Sequence, residues 1–142
     1  NLDCAVRLAA GERMILLSSD DLMGKEALAT YLQLLRLLPE ERAAKAILGS
    51  GEYMVDSAGA ITSVLNVPGP PMLFPEDRVP LLEDQLGAAV YRVSGREMLR
   101  RSVLNMRNPF HFVTACYPRR LYEAIGGYGG GRGGYGGGRG RD

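Results

Sequence analysis

The sequence predicts a small α/β domain of two layers, in the order β-α-β-α-β-β, followed by a glycine-rich tail. Three observations carry that prediction. Short apolar runs alternate with longer stretches of helical spacing through the first half. Two further apolar runs in the second half are separated by a long basic stretch. The last seventeen residues, 126–142, contain eleven glycines and no aliphatic side chain. Such a segment cannot bury enough apolar surface to offset its ordering entropy and is expected to stay disordered.

Arg13 to Ser18 (RMILLS) is long enough for one buried strand. Ser18, Ser19, Asp20 and Asp21 can each cap a helix. From Leu22, apolar residues at Met23, Ala27, Leu28, Tyr31, Leu32, Leu35 and Leu38 mark an amphipathic helix, which Pro39 ends. Ala43 to Leu48 reads as a second strand running into the Gly49-Ser50-Gly51 turn. Tyr53 to Val67 then fits a second helix, with Met54, Val55, Ala58, Ile61, Val64 and Leu65 on its inner face and Gly59 as a weak point.

The proline-rich stretch 67–80 is longer than most connections in a small domain. Its Met72-Leu73-Phe74 either docks on a partner or staples the loop to the body. Leu86 to Ser94 and Phe110 to Tyr117 read as third and fourth strands. Between them, residues 95–108 carry Arg96, Arg100, Arg101 and Arg107, a basic hairpin arm able to reach away from the domain. Arg119 and Arg120 precede a short amphipathic end, LYEAI. The expected organisation is an N-terminal extension (1–12), one domain (13–125) and the tail (126–142).

Charge divides along the chain. Residues 1–90 hold 7 Lys and Arg against 13 Asp and Glu, whereas residues 91–142 hold 10 Arg against 3 acids. That asymmetry, with Tyr128 and Tyr135 interleaved among Arg132, Arg139 and Arg141 in the tail, points to nucleic acid. Guanidinium groups meet phosphate and stack on bases, and tyrosine rings stack on bases, with little sequence preference. RNA or single-stranded DNA is therefore the expected partner.

Catalytic chemistry finds little support. The single histidine, His111, sits in an alternating run, and Cys4 and Cys116 fit no metal-ligand spacing. The paired acids lie at adjacent positions, which do not face one another on a helix or strand. LGSGEYM lacks the lysine and spacing of a phosphate loop. No cofactor, no metal site and no catalytic residue is expected. A small doubly wound enzyme related to sulfur-relay proteins is the remaining enzymatic reading, with Cys116 as its test. No run is apolar enough to cross a membrane. The chain does not begin with Met, so trimming or removal of a leader is expected. The compartment is then intracellular, the mitochondrial matrix or the cytoplasm.

In order and spacing, RMILLS, DLMGKEALATYLQLLRLL, AKAILGSGEYMVDSAGAITSVL, LGAAVYRVS and FHFVTACY with the Arg-rich loop resemble the Alba family of small DNA- and RNA-binding proteins. The resemblance implies a β-α-β-α-β-β fold, a mobile basic hairpin and hetero- or homodimers with an Alba-like subunit. The Arg-Gly tail resembles those of eukaryotic members. Two departures stand out. The turn after the first strand is Ser18-Ser19-Asp20-Asp21 with only Lys25 nearby, and the family's Gly-basic-Ala turn matches Gly51-Glu52-Tyr53. Acids there repel phosphate, so contacts are expected on Lys25, on the arm, on Arg119 and Arg120, and on the tail. The implied role is a non-catalytic RNA-binding subunit of a ribonucleoprotein or RNA-processing complex. The alternative is a structural adaptor whose contacts are mainly to protein.

Overall fold

The computed structural model describes residues 2–65, 69–111 and 113–126. Helix α1 (Leu2–Leu8) leads into strand β1 (Arg13–Ile15), then α2 (Ala27–Leu37) and the short α3 (Glu40–Ala43). A hairpin follows, β2 (Glu52–Val55) with β3 (Ile61–Leu65). A 3-10 turn (Pro75–Asp77), α4 (Pro80–Leu86), α5 (Gly95–Asn105), β4 (Cys116–Pro118) and α6 (Arg119–Ala124) complete the described chain. The mixed α/β class holds. Its arrangement among the described residues is six helices and two two-stranded antiparallel sheets, β1–β4 and β2–β3, in place of the expected β-α-β-α-β-β order.

The core sits where the ends of the domain meet. β1 pairs with β4 antiparallel, Arg13 opposite Pro118, Met14 opposite Tyr117 and Ile15 opposite Cys116. Leu48 bridges Cys116, with N–H···O bonds of 2.9 Å in both directions. On one side Val6, Met14 and Tyr122 are buried together. On the other, Tyr31, Leu48 and Cys116 are buried against Ile15, Leu34 and Leu35. Residues 1–12, expected as an extension, thus supply a core residue, Val6. Further, a guanidinium N–H of Arg119 donates to the Ala9 carbonyl. Cys116 lies inside the core while Cys4 is exposed.

The helix expected from Leu22 starts only at Ala27. Gly24 is a poor helix former, and Leu22 is exposed rather than on the inner face. In the remainder Tyr31 is turned inward with Leu34 and Leu35 partly buried beside it, whereas Leu28 and Leu32, expected on the inner face, are about half exposed. The Tyr31 hydroxyl donates to the Thr114 carbonyl at 2.6 Å and meets Ser50 Oγ at 3.0 Å. Burial raises its pKa above the ordinary tyrosine value.

Three larger departures share one cause, local turn and cap chemistry overriding apolar spacing. The expected helix over 53–67 is the β2–β3 hairpin. The Asp56 carboxylate accepts the N–H groups of Ala58 and Ala60, both at 2.9 Å, and Gly59 adopts φ 83°, which closes a tight turn. Val55, Ile61, Thr62 and Val64 then favour strand. The expected strand over 86–94 is instead the end of α4 and a loop. Gly87 caps α4 in the left-handed region (φ 66°), and only Tyr91 makes a bridge, to Arg78. The expected basic arm over 95–108 is helix α5. Ser94 caps it by accepting the Glu97 N–H at 3.2 Å, and Met106 ends it at φ 50°. Of the expected fourth strand only Cys116 and Tyr117 belong to β4, which runs on to Pro118. The expected strand at Ala43–Leu48 keeps only the Leu48 bridge, because Glu40–Ala43 continue in helix after Pro39.

Among the described residues, no helix is long and apolar enough to cross a membrane. The tail beyond Gly126, with Tyr128, Arg132, Tyr135, Arg139 and Arg141, lies outside the described residues, and so does the expectation that it is disordered.

The Tyr31 hydroxyl gives a direct stability test. Tyr31→Phe keeps the ring and removes both polar contacts. It is expected to lower the unfolding free energy by about 1 kcal/mol in urea denaturation.

Candidate nucleic-acid interface

The arginines expected to contact nucleic acid divide into those the fold uses internally and those it leaves open. Arg101 is the clearest internal case, at 9% exposure. Its Nε donates to Glu97 at 2.9 Å. Its Nη1 donates to Asp77 at 2.5 Å and to the Met72 carbonyl at 3.0 Å, and its Nη2 to Asp77 at 3.2 Å. The guanidinium also lies 4.9 Å from the centre of the Phe74 ring. Asp77 in turn accepts the Phe74 N–H at 2.9 Å. The Met72-Leu73-Phe74 segment is therefore a staple that Arg101 locks against α5.

Arg100 forms a two-pronged pair with Glu97 at 2.7 and 2.8 Å on the surface of α5. Arg119 pairs with Glu123 at 2.9 Å besides its bond to Ala9, and Arg120 donates to the Ala44 carbonyl at 2.6 Å. A phosphate reaching Arg101 or Arg119 has to displace these partners. Lys25, Arg96 and Arg107 are exposed and make no ion pair among the described residues. Of these three only Arg107 faces the concave surface described next.

An open groove of about 1160 Å³ runs between the α2–α3 corner and α5. Its wall on one side is Leu34 and Leu38 with the 45–50 segment. On the other are Met98, Leu99 and Ser102 of α5 and the 90–95 loop. Met72 and Leu73 of the staple and Leu82 of α4 contribute apolar surface. Within the lining, the Phe110 ring lies against Gly49. A Cβ at Gly49 would come within 2.6 Å of that ring, so this close approach requires glycine. Around this apolar lining stand Arg42, Lys45, Arg92 and Arg107, all exposed and without a carboxylate partner among the described residues. Tyr91, Phe110 and His111 add ring surface, and Glu41 is the acid on the lining. His111 Nδ1 lies 2.9 Å from Glu52, which ties the β2–β3 hairpin to this rim.

Chemically, the groove offers what a single-stranded polyanion takes: separated cations for phosphates and flat rings for bases. Three of the four cations, Arg42, Lys45 and Arg92, fall outside the set expected from sequence. They come from distant segments, two of them in the acidic half, and only the fold assembles them. Tyr91 and Phe110 are likewise unremarked in the sequence, where each sits in a run that reads as strand.

The Arg101 cluster makes a pH prediction. Glu97 is pulled down to about 2 by Arg100 and then by Arg101. Asp77 is lowered chiefly by its hydrogen bond from Arg101. Both carboxyls titrate lower in the folded chain than in the unfolded one. Their contribution is complete above the ordinary carboxylate range; that of Glu97 drains away as pH falls from 4.5 towards about 2, and that of Asp77 is lost as pH falls below its ordinary range. Arg101→Met is expected to lower Tm by roughly 5 °C or more at pH 7. The gap to the parent should narrow across that acid window in parallel thermal melts. Comparison of the chain with protein-family models, curated proteins and solved structures gives no match.

Proposed function

We propose that this chain is a non-catalytic RNA-binding subunit that holds single-stranded RNA along the groove between α2 and α5. The observation that carries the reading is four exposed cations, Arg42, Lys45, Arg92 and Arg107, without a carboxylate partner among the described residues and lining one concavity with Tyr91 and Phe110. By contrast, Arg101, Arg100 and Arg78 are engaged with carboxylates. Four left open around one concavity are the arrangement a polyanion neutralises.

The tail supports the same reading. Residues 126–142 carry Arg132, Arg139 and Arg141 with Tyr128 and Tyr135 between glycines, a composition suited to sequence-tolerant contacts. In this proposal the RNA site is the groove and the tail, with α5 as a wall of the groove rather than a reaching arm. A subunit role in a ribonucleoprotein belongs to the same proposal.

A second reading, a structural adaptor within a larger assembly, is favoured by one observation. The β2–β3 hairpin leaves Tyr53, Met54, Val55, Ile61 and Val64 about half exposed or more, an apolar surface of the kind that protein partners cover.

Fluorescence anisotropy with labelled oligouridine of about twelve nucleotides separates the two. The full chain is expected to bind with an affinity that falls steeply as salt rises. Joint replacement of Arg42, Lys45, Arg92 and Arg107 by Ala should reduce the slope of log K against log salt by about 2–3, at ~0.7 per lost phosphate contact. Lys25→Ala, away from the groove, should leave the slope within error. A full chain that does not bind the oligonucleotide at low salt removes the RNA reading and leaves the adaptor.

A further inference from the structure

Two of the four groove cations, Arg42 and Lys45, stand on one short piece of backbone, and that backbone is held from the core. α3 is only four residues long, so the carbonyls at and just beyond its end need partners from elsewhere. Arg13 of β1 takes two of them. Its Nη1 donates to the Ala43 carbonyl at 2.9 Å and its Nη2 to the Ala46 carbonyl. Arg120 of α6 takes a third, its Nη2 donating to the Ala44 carbonyl at 2.6 Å. Arg13 lies opposite Pro118 in the β1–β4 sheet, and Pro118 leads directly into α6. Both guanidiniums therefore reach residues 43–46 from neighbouring points of the core sheet.

Their grip is on backbone, at the carbonyls that follow Arg42 and flank Lys45. The Arg42 carbonyl in turn accepts the N–H groups of Lys45 and Ala46 at 3.0 and 2.9 Å. Residues 42–46 are thus fixed by bonds within the turn and by bonds from β1 and α6. The side chains of Arg42 and Lys45 remain exposed on the groove lining. Arg13 is not placed to meet phosphate itself. It is partly buried, both its Nη atoms are engaged, and its Nε is buried with no hydrogen-bond partner among the described residues. A planar fork spans two carbonyls in one fixed geometry, which the single ammonium of a lysine does not reproduce.

We infer that Arg13, assisted by Arg120, is a positioning residue for the groove: it sets where Arg42 and Lys45 stand before a phosphate arrives. Cations held in place beforehand spare the bound state the cost of ordering them. The assignment rests on the groove reading above. It also gives Arg120, expected from sequence to touch nucleic acid, an indirect role.

Salt titrations of oligouridine binding by the full chain, read by fluorescence anisotropy, test it in a four-protein cycle. The proteins are the parent, Arg13→Met, the Arg42→Ala and Lys45→Ala pair, and all three substitutions together. The alanine pair should reduce the slope of log K against log salt by about 1.4, at ~0.7 for each of two phosphate contacts. Arg13→Met is expected to lose at least half as much in the parent and nothing further in the pair. Loss of folded protein lowers the amount that binds but leaves this slope alone, so the slope separates positioning from stability. Arg120→Met, at an exposed position, keeps the test open if Arg13→Met does not fold, and should give a smaller loss that likewise vanishes in the pair. Slopes equal to the parent's, or losses that add to those of the alanine pair, overturn the assignment and leave the groove reading standing. A parent that does not bind overturns both.

Discussion

One buried cation organises the second half of this molecule. Arg101 leaves α5 and meets Asp77 of the 3-10 turn, the Met72 carbonyl and the Phe74 ring, while Glu97 holds it from its own helix. Burying a guanidinium is unfavourable unless its donors are matched. Here Asp77 and Glu97 match the charge, and Asp77 is itself positioned by the Phe74 N–H. Because the staple is locked in this way, Met72 and Leu73 stay at the groove and α5 becomes its wall. The same locking settles how the Met72-Leu73-Phe74 segment behaves: it staples the loop.

The fold thus sorts its arginines by neighbourhood. Arg100, Arg101 and Arg119, each with an acid three or four residues away on its own helix, are drawn into pairs, whereas Arg120, three residues from Glu123, donates to the Ala44 carbonyl instead. Those in loops or at helix ends without such an acid, Arg42, Arg92 and Arg107, remain open to solvent. Counting charge by halves of the chain hides this sorting, since Arg42 and Lys45 belong to the acidic half and Arg101 to the basic one.

Sequence alone carried the parts of the fold that depend on one strong local signal. The amphipathic helix around Tyr31 is one, and the mixed α/β class follows from the apolar pattern. Where apolar spacing and turn chemistry disagreed, the turn prevailed. The Asp56-Ser57-Ala58-Gly59 turn makes a hairpin of residues whose spacing also suits a helix. The Ser94-x-x-Glu97 cap, present in the sequence, makes a helix of the expected arm. The core contribution of Val6 and the groove cations are tertiary facts: no local pattern brings Arg42, Lys45, Arg92 and Arg107 together. Arg107 was legible as an exposed cation, and the burial of Arg101 was foreshadowed only by Glu97 four residues before it.

The central claim is that the groove, and not the surface of α5 or the region around Lys25, takes the nucleic acid. Photocross-linking of the full chain to 4-thiouridine-substituted RNA, followed by peptide mapping, tests it most directly. The account predicts adducts on the segments carrying Tyr91 and Phe110, alongside any on the tail. Adducts confined to α1, the β2–β3 hairpin and the outer surface of α5, with none on those two segments, would contradict it.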